Sequence, residues 1–160
     1  MARVYIETSI VSYLRQRPSG QVITAARQLL THRWWTDCRH QFELVTSQYV
    51  LDEAALGDPA LAAQRVQALD QMPLLDVPDE VPRLGMTILA RAILPPTALV
   101  DALHIAVAAF HEVDYLLTWN CKHIANARIL AKVRDLLVEL NYSVPVICTP
   151  EEMLGDEHEL

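Results

Sequence analysis

The sequence predicts an α/β protein, built as a three-layer α/β/α sandwich around a mainly parallel central sheet. The first observation behind this prediction is that short apolar runs alternate with longer helical segments along the chain. Strands separated by helices join through right-handed crossovers, which place the strands parallel in one sheet. The second observation is size: 160 residues, 52% of them hydrophobic and 21% charged, suffice for one domain with a full core.

Five strands are expected, each from a short apolar run. They cover residues 4–6, 42–46, 74–77, 115–119 and 144–148. The continuous run at 115–119 is typical of a parallel strand that is covered by helices on both faces. Because ligand sites in such folds lie beyond the carboxyl ends of the strands, the residues that follow 4–6 and 115–119 are the first candidates for a site.

Seven helices are expected between the strands, from apolar positions three and four residues apart and from capping residues. Thr8 or Ser9 caps the first helix, which runs through residue 14, and Ser47 caps the helix after the second strand. Pro59 takes a first helical position, and Thr97 caps a strongly apolar helix. The helix capped by Thr97 is predicted at 98–110. Three further helices are predicted at 22–40, 79–93 and 126–140.

Composition and charge exclude several classes of protein. Thirteen Lys and Arg against 20 Asp and Glu give a net charge of −7, which argues against a protein that coats nucleic acid by bulk positive charge. The three cysteines form no Cys-x-x-Cys pair and predict a reducing compartment rather than a disulfide framework or a zinc site. No apolar run approaches 18 residues, so we expect a cytoplasmic protein without a membrane span.

The candidate site residues are carboxylates and an amide near strand ends. Glu7 directly follows the first strand and Asn120 directly follows the strand at 115–119, so both are expected at the same edge of the sheet. Asp101 lies in the first turn of an otherwise apolar helix, where the helix dipole favours it modestly but an unpaired carboxylate is costly. Glu53, on the helix after the second strand, is weaker evidence because most helical glutamates are solvated.

These side chains together predict an oxygen-rich metal site. Three carboxylates with Asn and Thr oxygens, and no cluster of cysteine or histidine, suit Mg²⁺ or Mn²⁺ rather than zinc. The chemistry that matches such a site is metal-assisted attack of water on a phosphodiester bond.

Four segments of the chain carry a family resemblance. They are Tyr5-Ile6-Glu7-Thr8-Ser9, the helix from Ser47 to Glu53, Asp101-Ala102-Leu103-His104-Ile105-Ala106, and Leu117-Thr118-Trp119-Asn120-Cys121-Lys122-His123. In order and spacing, over about residues 3–154, they resemble the PIN domain, and the nearest branch is the VapC-like ribonucleases of toxin–antitoxin systems. The resemblance implies a single PIN-like domain over residues 1–150, with an acidic tail at 151–160 that holds five of the acids.

The resemblance also implies an activity and partners. It implies an endoribonuclease that uses Mg²⁺ or Mn²⁺ to hydrolyse single-stranded or structured RNA. It further implies the toxin role in a toxin–antitoxin pair, a small antitoxin protein as partner, and a homodimer.

Site roles follow from the resemblance by position. Glu7, Glu53 and Asp101 take the places of three catalytic acids that bind the metal, and Asn120 falls where many members have a fourth acid. Supporting roles fall to Thr8 and Thr118, which match hydroxyl positions, and to His104, which lies three residues after Asp101 and can share its helix face.

Basic residues are concentrated in two segments that offer phosphate contacts. Residues 1–40 hold six arginines against two acids, and residues 121–134 hold four basic residues and no acid. Arg15, Lys122 and His123 are the RNA contacts predicted from these segments.

Two departures from the family pattern leave other functions open. Glu7 replaces the usual Asp and so moves its carboxylate outward by about one C–C bond, and Asn120 contributes no charge. The first alternative is therefore a PIN-fold module that binds metal or RNA with little or no cleavage. A second alternative, a metal-dependent phosphohydrolase for small substrates, uses the same acids.

Overall fold

A computed structural model describes residues 1–92 and 94–155. Its five strands form one parallel sheet in the order β3-β2-β1-β4-β5. The strands are β1 (Arg3–Ile6), β2 (Glu43–Ser47), β3 (Leu74–Leu75), β4 (Tyr115–Leu117) and β5 (Val146–Cys148). The predicted α/β class with a parallel sheet is thus confirmed, and β1 is the central strand.

Seven α-helices connect the strands within the described residues. They are α1 (Thr8–Arg15), α2 (Val22–Arg33), α3 (Gln48–Ala54), α4 (Pro59–Leu69), α5 (Glu80–Arg91), α6 (Leu99–Phe110) and α7 (Ala127–Glu139). Helix α6 is the most deeply placed, because every residue from 102 to 109 is buried. It packs closely on α5 at Gly85, where an added Cβ would lie 2.6 Å from Cδ2 of Leu103.

Two helix starts differ from the capping predicted from the sequence. Neither Thr8 nor Ser9 caps α1; Glu7 does, because its carboxylate accepts a hydrogen bond from the Ser9 N–H. The prediction for Thr97 is also wrong, since this residue lies in a 3₁₀ turn (Pro96–Ala98) and Ala98 occupies the cap position of α6. The turn begins at Pro96, with Pro95 at its cap position, which is two residues before a Thr97 cap would start a helix.

Ser47 occupies the predicted cap position of α3, but its side chain makes no capping hydrogen bond. Its hydroxyl lies 2.7 Å from the Tyr5 hydroxyl instead. A buried tyrosine hydroxyl needs a polar partner, and this need takes the serine away from the helix end.

Several predicted elements were longer than the elements in the structure. The helix expected at 22–40 ends at Arg33 and continues as a π-helical turn (Trp34–Cys38) and a 3₁₀ turn (Arg39–Gln41). Strands β3, β4 and β5 are also shorter than expected. Of the predicted acidic tail, Glu151–Met153 forms a 3₁₀ turn; residues 156–160, and Ile93 at the end of the predicted fifth helix, lie outside the described residues.

Within residues 1–92 and 94–155, no helix is both long and apolar enough to cross a bilayer.

Candidate active site

The candidate site lies at the carboxyl edge of the three central strands. Register pairs Ile6 of β1 with Leu117 of β4, so the residues that follow them, Glu7 and Thr118, emerge side by side. Strand β2 runs parallel on the other side of β1 and leads directly into α3, which carries Glu53. The parallel topology therefore delivers side chains from three separate segments to one place.

Glu7 is buried, with 4% of its surface exposed, and its carboxylate is held by protein donors. Oε1 accepts hydrogen bonds from the Ser9 hydroxyl (2.6 Å) and from the Thr118 hydroxyl, and Oε2 accepts from the Ser9 N–H (2.9 Å). Because buried carboxylates are costly unless hydrogen-bonded, these donors explain how the sequence tolerates an acid here.

Among residues 1–92 and 94–155, Glu53 uses one of its two carboxylate oxygens for hydrogen bonds. Oε1 accepts hydrogen bonds from the Thr8 hydroxyl and from Nε2 of His104, each at 2.6 Å. Burial raises the pKa of Glu53, but the His104 hydrogen bond and charge and the Thr8 hydrogen bond outweigh it, so the pKa lies below the ordinary glutamate value. Glu53 is therefore ionised at neutral pH, and its Oε2 accepts no hydrogen bond from the described residues.

His104 lies fully buried beneath Glu53 and joins it to strand β1. Its Nδ1 is 2.8 Å from the Tyr5 hydroxyl, which in turn contacts the Ser47 hydroxyl. Burial raises the pKa of Tyr5 far above its ordinary value, so the phenol keeps its proton. Glu7, Glu53 and His104 together are called the inner half of the site below.

Asp101, Asn120 and His123 form the outer half of the site. Asp101 Oδ2 lies 3.1 Å from Nδ1 of His123, and each of these side chains is 18% exposed. The Asn120 side-chain oxygen accepts hydrogen bonds from the backbone N–H groups of Lys122 (3.3 Å) and His123 (2.9 Å). Asn120 thus shapes the turn that presents His123 to Asp101.

The donor set fits a hard divalent cation. Ligand atoms of the inner half lie within 4.8 Å of one another, a group that does not include Asp101. Both ring nitrogens of His104 are already hydrogen-bonded, which leaves carboxylate oxygens as the available ligands. Oε2 of Glu53 and Oδ1 of Asp101 have no hydrogen-bond donor among the described residues, and such oxygens are the ligands Mg²⁺ and Mn²⁺ prefer.

The predicted RNA-contact residues lie at different distances from the site. Lys122 is exposed and stands in the same turn as His123, at the rim of the outer half. Arg15 ends α1, seven residues after Thr8, so it lies about 10 Å along the helix from the site. It lines a cavity with Trp35, Arg39, Gln64, Gln67 and Ala68.

No protein-family model and no curated protein matches the chain. The chain is similar to one in the crystal structure of VapBC2 from Rickettsia felis bound to a DNA fragment from its promoter. The TM-score is 0.52 at 13% identity, over 92% of this chain and 98% of that chain. The fold is PIN-like.

A second similar structure is that of VapBC-5 from Mycobacterium tuberculosis, described as a member of the VapBC family of toxin–antitoxin systems. Its TM-score is 0.46 at 18% identity, over 75% of this chain and 86% of that chain.

Within this PIN-like fold, sequence reasoning missed three contacts that define the site. It did not anticipate that His104 would bind Glu53, that Tyr5 would bind His104, or that Ser9 would hold Glu7. One signal was present for the first two. A tyrosine in the middle of a buried strand must find a partner for its hydroxyl, and the one histidine on the buried side of the apolar helix was an available acceptor.

Proposed function

We propose that this protein is a divalent-metal-dependent endoribonuclease that hydrolyses phosphodiester bonds of single-stranded or structured RNA. The observation that carries the proposal is the pair of carboxylates, Glu7 and Glu53, at the carboxyl edge of a PIN-like sheet. Asp101, one oxygen of which is free of hydrogen bonds within the described residues, supports it.

Glu53, Asp101 and Glu7 would hold Mg²⁺ or Mn²⁺. When bound, the ion supplies an activated water and neutralises charge on the phosphate. Thr8 and His104 hold the Glu53 carboxylate, Thr118 and Ser9 hold the Glu7 carboxylate, and each set fixes its acid before substrate arrives.

Residues at the rim of the outer half are proposed to bind the RNA phosphates. Lys122 and His123 stand in the turn stabilised by Asn120 and are proposed to contact RNA close to the carboxylates. Arg15 is proposed to contact RNA farther from the reacting bond, because it lies at the other end of α1.

A specific observation favours one alternative, a PIN-fold module that binds metal or RNA without cutting. Both Glu7 oxygens and the Asn120 side-chain oxygen already accept hydrogen bonds from the protein. A cation would then find few ligand oxygens that are free of hydrogen bonds to the protein, and it would bind more weakly.

One experiment separates the two functions. The purified protein is incubated with end-labelled single-stranded RNA in Mn²⁺, Mg²⁺ or chelator, beside the Asp101→Asn variant as an isosteric control. The nuclease proposal expects metal-dependent products from the unmodified protein and none from the variant at an unchanged melting temperature. Undiminished cleavage by the variant contradicts it, and a metal-dependent melting shift without products identifies the binding module.

We also propose a small antitoxin partner, a toxin role, a cytoplasmic location and a homodimer. The likeness to a VapBC structure supports the antitoxin. For the homodimer, the supporting observation is a set of exposed apolar side chains at the edge strand β5 and the end of α7, namely Val138, Leu140, Val144 and Val146. Sedimentation equilibrium of the purified chain tests the dimer.

A further inference from the structure

The buried side chains beneath Glu53 are polar where the surrounding core is apolar. Ser47, Tyr5 and His104 are each 0% exposed. They form one hydrogen-bonded row, with 2.7 Å between the serine and tyrosine oxygens, 2.8 Å from the phenol to Nδ1, and 2.6 Å from Nε2 to Glu53. The row runs from the end of β2, across β1, to α6 and then to the site.

Stability alone does not account for this row. A buried hydrogen bond contributes little net free energy, and replacement of both partners by apolar groups of the same shape is often neutral. With an apolar side chain at position 104, the Tyr5 and Ser47 hydroxyls would keep the hydrogen bond between them. What the histidine adds is a contact to Glu53.

Proton counting gives the row a direction. The Glu53 carboxylate is ionised and only accepts, so Nε2 of His104 must carry the proton that it donates. The other ring nitrogen, Nδ1, lies within hydrogen-bond distance of the Tyr5 hydroxyl. The tyrosine oxygen remains free to accept from Ser47.

These hydrogen bonds make the two carboxylate oxygens of Glu53 different from each other. Thr8 and His104 both donate to Oε1, from opposite segments of the fold, and this fixes the rotation of the carboxylate. Oε2 is left without a donor among the described residues. His104 cannot itself bind a metal through either nitrogen without losing one of its two contacts.

We propose that Ser47, Tyr5 and His104 are positioning residues, whose hydrogen bonds hold Glu53 by Oε1 and leave Oε2 for a cation. His104 is therefore not a metal ligand, although it lies among the potential ligands of the inner half. The inference rests on the proposed function only in taking Glu53 as a cation ligand.

The first test uses the metal-free protein. Nitrogen-15 spectra of the His104 ring, assigned with the His104→Gln variant, report which nitrogen carries a proton. A proton on Nε2 supports the proposal, whether or not Nδ1 also carries one. An unprotonated Nε2 overturns it, because such a nitrogen cannot donate to Glu53.

The second test measures Mn²⁺ affinity by electron paramagnetic resonance, without RNA. Loss of a residue that supports a ligand typically weakens metal binding about 10- to 100-fold, and this range is expected for His104→Leu. His104→Gln should be milder, because its amide N–H can replace the Nε2 proton. Tyr5→Phe should weaken binding in the unmodified protein but have no further effect in His104→Leu.

Controls make the second test decisive. Tyr142→Phe removes a hydroxyl for which no hydrogen bond is found within the described residues, and it should leave Mn²⁺ affinity unchanged; thermal melting shows which variants are folded. Additive effects of Tyr5→Phe and His104→Leu overturn the proposal. An unchanged affinity in folded Tyr5→Phe or in folded His104→Leu also overturns it. Absence of Mn²⁺ binding overturns it together with the nuclease, whereas the expected affinities without RNA cleavage overturn the nuclease alone.

Discussion

The inner and outer halves of the site differ in what holds their acids. In the inner half, Glu7 and Glu53 accept hydrogen bonds from donors on α1, on α6 and directly after β4. In the outer half, the one partner of Asp101 among the described residues is His123, which belongs to a turn that follows β4. The first arrangement is built into the core, and the second depends on a partly exposed contact.

This difference assigns separate tasks to the two halves. Donors that are already in place keep the inner carboxylates fixed and cost no reorganisation when a ligand arrives. An acid with one partly exposed partner can turn toward a cation at little cost. We therefore expect substitutions in the inner half to change stability as well as activity, and substitutions in the outer half to change activity alone.

The largest contrast is expected between Glu7→Gln and Asp101→Asn, which make the same chemical change in the two halves. The amide of Glu7→Gln cannot satisfy donors on both sides, because Ser9 N–H faces one oxygen and two hydroxyls face the other. A lost buried partner costs about 1–3 kcal/mol of the free energy of unfolding. Asp101→Asn should cost less, below about 1 kcal/mol, because the contact that it alters is partly exposed to solvent.

Urea unfolding of the two variants measures this contrast. Tyr142→Phe serves as a control for a substitution outside the site. Equal losses of stability in the two variants would mean that the halves are held equally firmly, and the distinction between them would be wrong.

The same distinction separates what the sequence could predict from what it could not. The order of strands and helices follows from apolar runs and periodicity, and Glu7 and Thr118 can be located because they follow strands that pair in register. These features depend on local patterns and on one topological rule.

The contacts inside the site depend on distances that no local pattern contains. His104 is three residues from Asp101 in sequence, which suggested a shared face, yet its hydrogen bonds go to Glu53 and Tyr5, 51 and 99 residues away. Asp101 instead meets His123, 22 residues later. Helix geometry limits which side chains can be neighbours, but tertiary packing selects the pairs.

Charge reversal at Lys122 and at Arg15 gives a second, smaller contrast. Lys122 stands at the rim of the outer half, whereas Arg15 is about 10 Å along α1 from Thr8. Loss of one phosphate contact lowers the slope of log affinity against log salt by about 0.7 for a single strand. Lys122→Glu should weaken RNA binding more than Arg15→Glu does, and the effect of each should shrink at high salt.

Fluorescence anisotropy with a short RNA, at several salt concentrations, measures both slopes. Arg83→Glu, on an exposed position of α5 outside both basic segments, controls for a general change in net charge. Salt-independent losses would contradict an electrostatic role, and a larger effect at Arg15 would move the RNA path away from the outer half.

The smallest predicted effect is the contribution of the ionised Glu53 carboxylate to the stability of the fold at acidic pH. Because its folded-state pKa lies below the ordinary value of 4.5, the ionised carboxylate stabilises the fold fully above that value. This contribution is lost as the pH falls through the lowered pKa. With 31% of the side chain exposed, it should stay below about 1 kcal/mol.

Melting of the unmodified protein and of Glu53→Gln at a series of pH values isolates this contribution, since the amide oxygen keeps an acceptor for Thr8 and His104. The difference in melting temperature should be constant from pH 7 to pH 5 and should shrink at lower pH. A difference that grows on acidification would require a raised pKa, and the His104 and Thr8 hydrogen bonds would then not outweigh the burial of the carboxylate. In that case the inner half would hold Glu53 in its neutral form, which is a poor ligand for a divalent cation.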